Sequence, residues 1–121
     1  MAYGYREALE AAGGKILNFS EFGSWQGDWY AQVEYNGERG WIKGSYGSCS
    51  YCDSFEAEFG YDYIKENEEQ YQSHLADFGR SYLETILPAK HYIEILQDGY
   101  DFDGTSSEIV SYIKANDLGS I

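Results

Sequence analysis

Three observations predict an α+β fold. Residues 28–35 alternate ring or aliphatic with polar side chains, the period of a strand. An Asn-Gly turn follows directly, with strand-like residues beyond it. From about Tyr63 onward the apolar residues instead recur at spacings of three and four, the period of a helix. The expected architecture is an N-terminal helix, a three-stranded antiparallel meander, then three helices packing on the sheet.

Each element has its own signal. Tyr5, Ala8, Leu9 and Ala12 share one face of a helix over 3–12, and Gly13-Gly14 supplies the residue that ends it. Residues 15–22 read as a strand with Ile16, Asn18 and Ser20 on one side and Leu17, Phe19 and Glu21 on the other. The next strand, 28–35, sets Trp29, Ala31, Val33 and Tyr35 against Tyr30, Gln32 and Glu34. Asn36-Gly37-Glu38-Arg39-Gly40 is a hairpin connection, after which Trp41-Ile42-Lys43 resumes the sheet.

Gly47 to Asp53 is a turn-rich linker. The first C-terminal helix carries Ile64, Tyr71, Leu75, Phe78, Tyr82 and Ile86, with Gly79 as a point of local loosening and Pro88 as its stop. Pro88 can also open the next helix, which carries Tyr92, Ile93 and Leu96 to Asp98-Gly99. Thr105-Ser106-Ser107-Glu108 has the form of a capping box before Ile109, Tyr112 and Ile113, with a stop near Gly119. The 121 residues fit one domain spanning 1–121, long enough to bury roughly two-thirds of the unfolded surface.

Composition narrows the function. The net charge is −13, of which −2 falls on residues 1–50 and −11 on residues 51–121. Acidic disordered chains are poor in rings, whereas aromatics make up 18% of this one, thirteen of them tyrosine. The rings are therefore expected to supply much of the core. Direct binding to nucleic acid or to an anionic membrane is excluded, because both need lysine and arginine to neutralise phosphate. No apolar run approaches the roughly 20 residues that span a bilayer. The first seven residues show no basic segment leading into an apolar one, so cytoplasmic residence is the expectation.

Seven acids fall within 17 residues, Asp53, Glu56, Glu58, Asp62, Glu66, Glu68 and Glu69, against a lone Lys65. Duplex DNA carries one charge per ~1.7 Å of axis, so thirteen charges correspond to roughly 22 Å of duplex. A rigid surface of carboxylates can imitate phosphates and occupy a basic groove on a nucleic-acid-handling or defence protein. Phe59, Tyr61 and Tyr63, with Tyr51, Phe55 and Tyr71, are suited to anchor such a contact, since rings dominate interface hot spots. A solvated acidic face serving only solubility is the plainer reading of the same residues.

Cys49 and Cys52 are spaced to reach one metal ion or to form a redox disulfide. A zinc site needs further ligands. His74 and His91 are too far apart for a common finger spacing, so a metal site would call for sharing across a homodimer. Structural turn cysteines are the simpler reading, and no cofactor is implied. The run from Asp98 to Gly104 has the look of a calcium loop, but Gly99 and Val110 occupy the positions of its two anchoring ligands. Neither histidine lies in a nucleophile motif and no phosphate-cradling glycine loop is present, so a non-enzymatic protein is expected.

Two stretches carry a resemblance. Tyr3-Gly4-Tyr5-Arg6-Glu7-Ala8-Leu9, and Gly47-Ser48-Cys49-Ser50-Tyr51-Cys52-Asp53 with Glu58-Phe59-Gly60, resemble a group of short acidic bacteriophage-encoded proteins of unassigned activity. The likeness covers the N-terminal half. In charge and size the chain is also similar in kind to phage DNA mimics and to inhibitors of restriction and CRISPR defence, a likeness that assigns no residue. Together these imply a viral protein acting in the bacterial host cytoplasm on a basic bacterial protein.

Overall fold

The structure is a computed structural model that describes residues 4–23, 27–46, 68–98 and 105–117. Helix α1 (Tyr5–Ala11) buries Tyr5, Ala8 and Leu9, one stripe at helical spacing. Its end is a Schellman turn. Gly13 adopts φ +94°, its N–H donates to Glu10 O at 3.0 Å, and the Gly14 N–H donates to Leu9 O at 2.9 Å.

That turn delivers the chain into β1 (Lys15–Gly23), followed by β2 (Gly27–Tyr35) and β3 (Glu38–Tyr46). The sheet is an antiparallel meander in the order β1-β2-β3. Tyr35 pairs with Glu38, so the loop between them is Asn36-Gly37 alone, at φ +51° and +81°. Positive φ at both central positions is the signature of the two-residue turn whose twist matches a sheet.

In β1 the register departs from simple alternation. Ile16 pairs with Val33 but Asn18 pairs with Gln32, leaving Leu17 as the extra residue of a bulge. Ile16 therefore shares a face with Phe19, Ala31 and Val33, whereas Asn18 and Ser20 lie with Gln32 and Tyr30. The grouping of Ile16 with Asn18 and Ser20 is thereby corrected, because one inserted residue flips everything on one side of it.

Among the described residues three helices follow: α2 (Glu68–Leu83), α3 (Ala89–Asp98) and α4 (Thr105–Asn116). Helix α2 ends at Leu83, short of Pro88 where its stop was expected. The residue before a proline is steered away from helical backbone, and Leu87 makes other use of its polar groups. Its N–H donates to Trp41 O at 3.0 Å, and the Trp41 N–H donates to Leu87 O at 2.7 Å. The chain thus crosses the outer edge of β3 there. Gly40 makes room for the crossing: a Cβ on it would come within 2.6 Å of Ile86 and 2.7 Å of the Leu87 carbonyl oxygen. Beyond the crossing, Pro88 leads into α3, with the His91 N–H donating to Pro88 O at 3.0 Å.

The crossing divides the described residues into three layers, with α1 and α2 on one face of the sheet and α3 and α4 on the other. The first core joins Tyr5, Leu9, Trp29, Ala31, Val33, Ile42, Tyr46 and Leu83, with Phe19, Phe78, Tyr82 and Ile86 packed against it. The second joins Phe22, Tyr30, Trp41, Ala89, Tyr92, Ile109 and Ile113, with Leu87 and Tyr112 against it. Rings dominate both. Trp29 stacks on Phe19 at 5.3 Å and meets Tyr5 at 5.1 Å, while Tyr30 meets Tyr92 edge-on at 5.8 Å. Such pairs contribute about 0.5–1.5 kcal/mol each beyond their buried area.

Candidate functional site

Most of the residues predicted to contact a partner lie outside the described residues: Asp53, Glu56, Glu58, Phe59, Tyr61, Asp62, Tyr63 and Glu66. Glu68 and Glu69 open α2, and their side chains are likewise outside the description. The elements that hold the two ends of this segment are well anchored. Before it, β3 ends at Tyr46, which is buried in the first core, with its hydroxyl donating to Phe22 O at 3.5 Å. After it, α2 seats Leu75 against Ala8 and Leu83 in the same core. Both ends are therefore tied to the α1–α2 side of the sheet.

The carboxylates among the described residues do not gather on one side. Glu7 and Glu10 are exposed on α1, and Asp77 and Glu84 on or just after α2, all in the first layer. Glu94 and Asp98 on α3 and Glu108 on α4 are exposed in the opposite layer. The cations behave differently. Of the seven basic residues at described positions, four pair with a carboxylate: Arg39 with Glu34 at 3.1 Å, Lys43 with Asp28 at 3.9 Å, Arg80 with Asp77 at 2.7 Å and Lys90 with Glu94 at 3.8 Å. Arg6 lies over the Phe19 ring at 5.9 Å, and Lys43 also lies over Tyr30 at 5.8 Å. Exposed pairs of this kind contribute ~1 kcal/mol or less to stability. Their larger consequence is that positive charge is cancelled close to where it sits, so the surplus acids set the field at a distance.

The metal readings gain nothing from the described residues. No group of three or more His, Cys, Asp or Glu among them could hold an ion. His74 is on α2 and His91 on α3, so the sheet stands between them. His91 is exposed and meets the Tyr92 ring edge-on at 5.5 Å. Cys49, Cys52, Asp101 and Asp103 lie outside the described residues.

One polar cluster escaped the sequence reading. Gln32, in the middle of β2, is completely buried. Its Nε2 donates to Asp117 Oδ1 at 3.0 Å, and its Oε1 accepts from Asn18 Nδ2 at 3.1 Å. The Trp41 indole N–H donates to the same Asp117 oxygen at 3.1 Å, and Asn18 Nδ2 also reaches the Asn116 carbonyl at 3.2 Å. Every atom named here is matched donor to acceptor, as burial demands. The knot ties the end of α4 to all three strands. A signal for it was present: Gln32 and Asn18 share a strand face with Phe22, Tyr30 and Trp41, which marks that face as covered.

The same face perturbs its tyrosines. Burial, then the Asp28 carboxylate, then Tyr92 push the Tyr30 hydroxyl well above the ordinary tyrosine range. Tyr92 and Tyr112 are raised by burial. On the other side of the sheet, Tyr46 is raised by burial and then by Glu21 and Asp28. All four stay neutral, which suits packing and offers no general base.

Comparison with known proteins adds no relative: no family model matches the chain, and neither a curated protein nor a solved structure is significantly similar to it. No helix among the described residues is long and apolar enough to cross a membrane.

Proposed function

We propose that the protein is a non-catalytic, acidic binding protein that occupies the basic groove of a bacterial nucleic-acid-binding or defence protein in place of polynucleotide. The observation that carries this reading is the partition of charge. Cations at described positions are largely drawn into pairs, while Asp53 to Glu69 hold seven acids against Lys65. The described carboxylates are spread over both layers, so the contact falls to that segment, with Phe59, Tyr61 and Tyr63 as its ring anchors. Electrostatic attraction speeds the encounter, and desolvated rings slow the release.

The test is capture from bacterial lysate at low salt by the wild type and by a variant carrying Asp53→Lys, Glu56→Lys and Glu58→Lys. The reading expects a basic protein that is retained by the wild type, elutes as salt rises and is lost by the variant. A partner whose retention ignores both salt and the three reversals overturns it. A second reading is favoured by the acids that face outward from both layers: a charged coat that serves solubility in a host-takeover or virion accessory protein. On that reading the two baits capture the same proteins.

A further inference from the structure

We propose that α3 and α4 form a lid that lifts from the second face of the sheet as one unit while α1, α2 and the sheet stay folded. The two cores share no residue, and the border between them falls inside one dipeptide: Ile86 packs in the first and Leu87 in the second. Residues 84–88 are therefore a natural hinge, because the described residues beyond them, 89–98 and 105–117, belong to the other layer.

Both ends of the lid close on a single residue. At its start, Leu87 exchanges two backbone hydrogen bonds with Trp41. At its end, Asp117 accepts from the indole N–H of the same Trp41 and from Gln32. Between these ties the lid seats Ala89, Tyr92, Ile109 and Ile113 on Phe22, Tyr30 and Trp41. The interface is part polar: Gln32, the one buried polar side chain among the described residues, lies within it beside Asn18. Water takes over those hydrogen bonds when the lid lifts, so separating it costs less than opening the first core, whose buried side chains are aliphatic or aromatic. Lifting the lid uncovers Tyr30, Gln32 and Trp41, which the closed form buries.

Native-state hydrogen exchange on the whole chain, read by mass spectrometry, tests this. The lid predicts that amides of 89–98 and 105–116 exchange together and faster than those of α1 and β2. It predicts that Asp117→Leu, which leaves Gln32 and the Trp41 indole without their acceptor, speeds the lid amides about tenfold. The amides of α1 and β2 then keep their wild-type rate, and Asp117→Asn, which keeps an acceptor oxygen, falls between the two. A single common rate for all elements in the wild type overturns the proposal. So does an Asp117→Leu protein in which α1 and β2 accelerate equally or which fails to fold, since the latch would then belong to the global structure.

Discussion

Gly79 of α2 lies against Ala8 of α1 so closely that a Cβ at position 79 would land on the Ala8 carbonyl oxygen and crowd the Leu9 amide. The pressing atoms are backbone, which cannot swing aside as a side chain can. On an exposed helix, alanine in place of glycine would gain about 1 kcal/mol. Here the overlap decides the sign. Gly79→Ala is expected to destabilise the fold by about 1–3 kcal/mol, the range for forcing volume into a packed interior. A urea midpoint equal to or above the wild type would show that α1 and α2 do not approach at this point.

Gly37 offers the opposite case. Nothing lies within 4 Å of a Cβ built there, yet its backbone sits at φ +81°. Gly37→Ala should therefore lose about 1–2 kcal/mol purely from left-handed backbone strain, with no repacking. Equilibrium unfolding should show that loss beside an unchanged near-ultraviolet spectrum of the tryptophans.

Alkaline pH should weaken the fold. A tyrosine whose folded pKa is raised keeps its proton when the unfolded chain has already lost it, near pH 10. Protons then favour the folded state, so this contribution is complete below about pH 10 and drains away as pH rises further. Tyr30 has the largest cause, burial beside the Asp28 carboxylate, with Tyr46, Tyr92 and Tyr112 raised in the same direction. Urea midpoints should fall between about pH 9 and about pH 11, and Tyr30→Phe should make that fall shallower. An unchanged pH slope in Tyr30→Phe would contradict the assignment.

Metal should be dispensable. Purified protein is expected to carry zinc well below one ion per chain, and Cys49→Ser with Cys52→Ser is expected to leave thermal stability unaltered. Stoichiometric zinc lost in that double variant, read by elemental analysis, would instead favour a metal module.

What could be read from the sequence was whatever neighbouring residues decide among themselves. Gly13 ends α1 and Asn36-Gly37 makes the hairpin because the backbone angles they need suit few other residues. The alternation through β2 survives because β3 pairs with it in regular register and the extra residue in its pairing with β1 lies on the β1 side. Tertiary decisions were hidden. The bulge at Leu17 is selected by which side of β1 meets each core, and nothing beside Leu17 in the sequence announces it. Gly79 reads locally as a weak point in a helix, whereas it lies directly against the α1 backbone at Ala8. Ile86 continues the helical spacing yet lies beyond the end of α2, because the edge of β3 draws the chain across at Leu87. The knot joins Asn18, Gln32, Trp41 and Asp117 from four distant parts of the chain, so no local pattern could assemble it. For the acidic segment the position was different: its charge is plain in the residues, while whether that charge forms one surface is a matter of tertiary placement.

Displacement of nucleic acid from a captured partner is the most direct test of the anionic-mimic account. Labelled duplex DNA or RNA, bound to that partner, is titrated with this protein while fluorescence anisotropy is followed at low and moderate salt. The account predicts mole-for-mole release of the nucleic acid, weakening steeply with salt and abolished by Asp53→Lys with Glu56→Lys and Glu58→Lys. A ternary complex, in which the partner holds nucleic acid and this protein together, would contradict it.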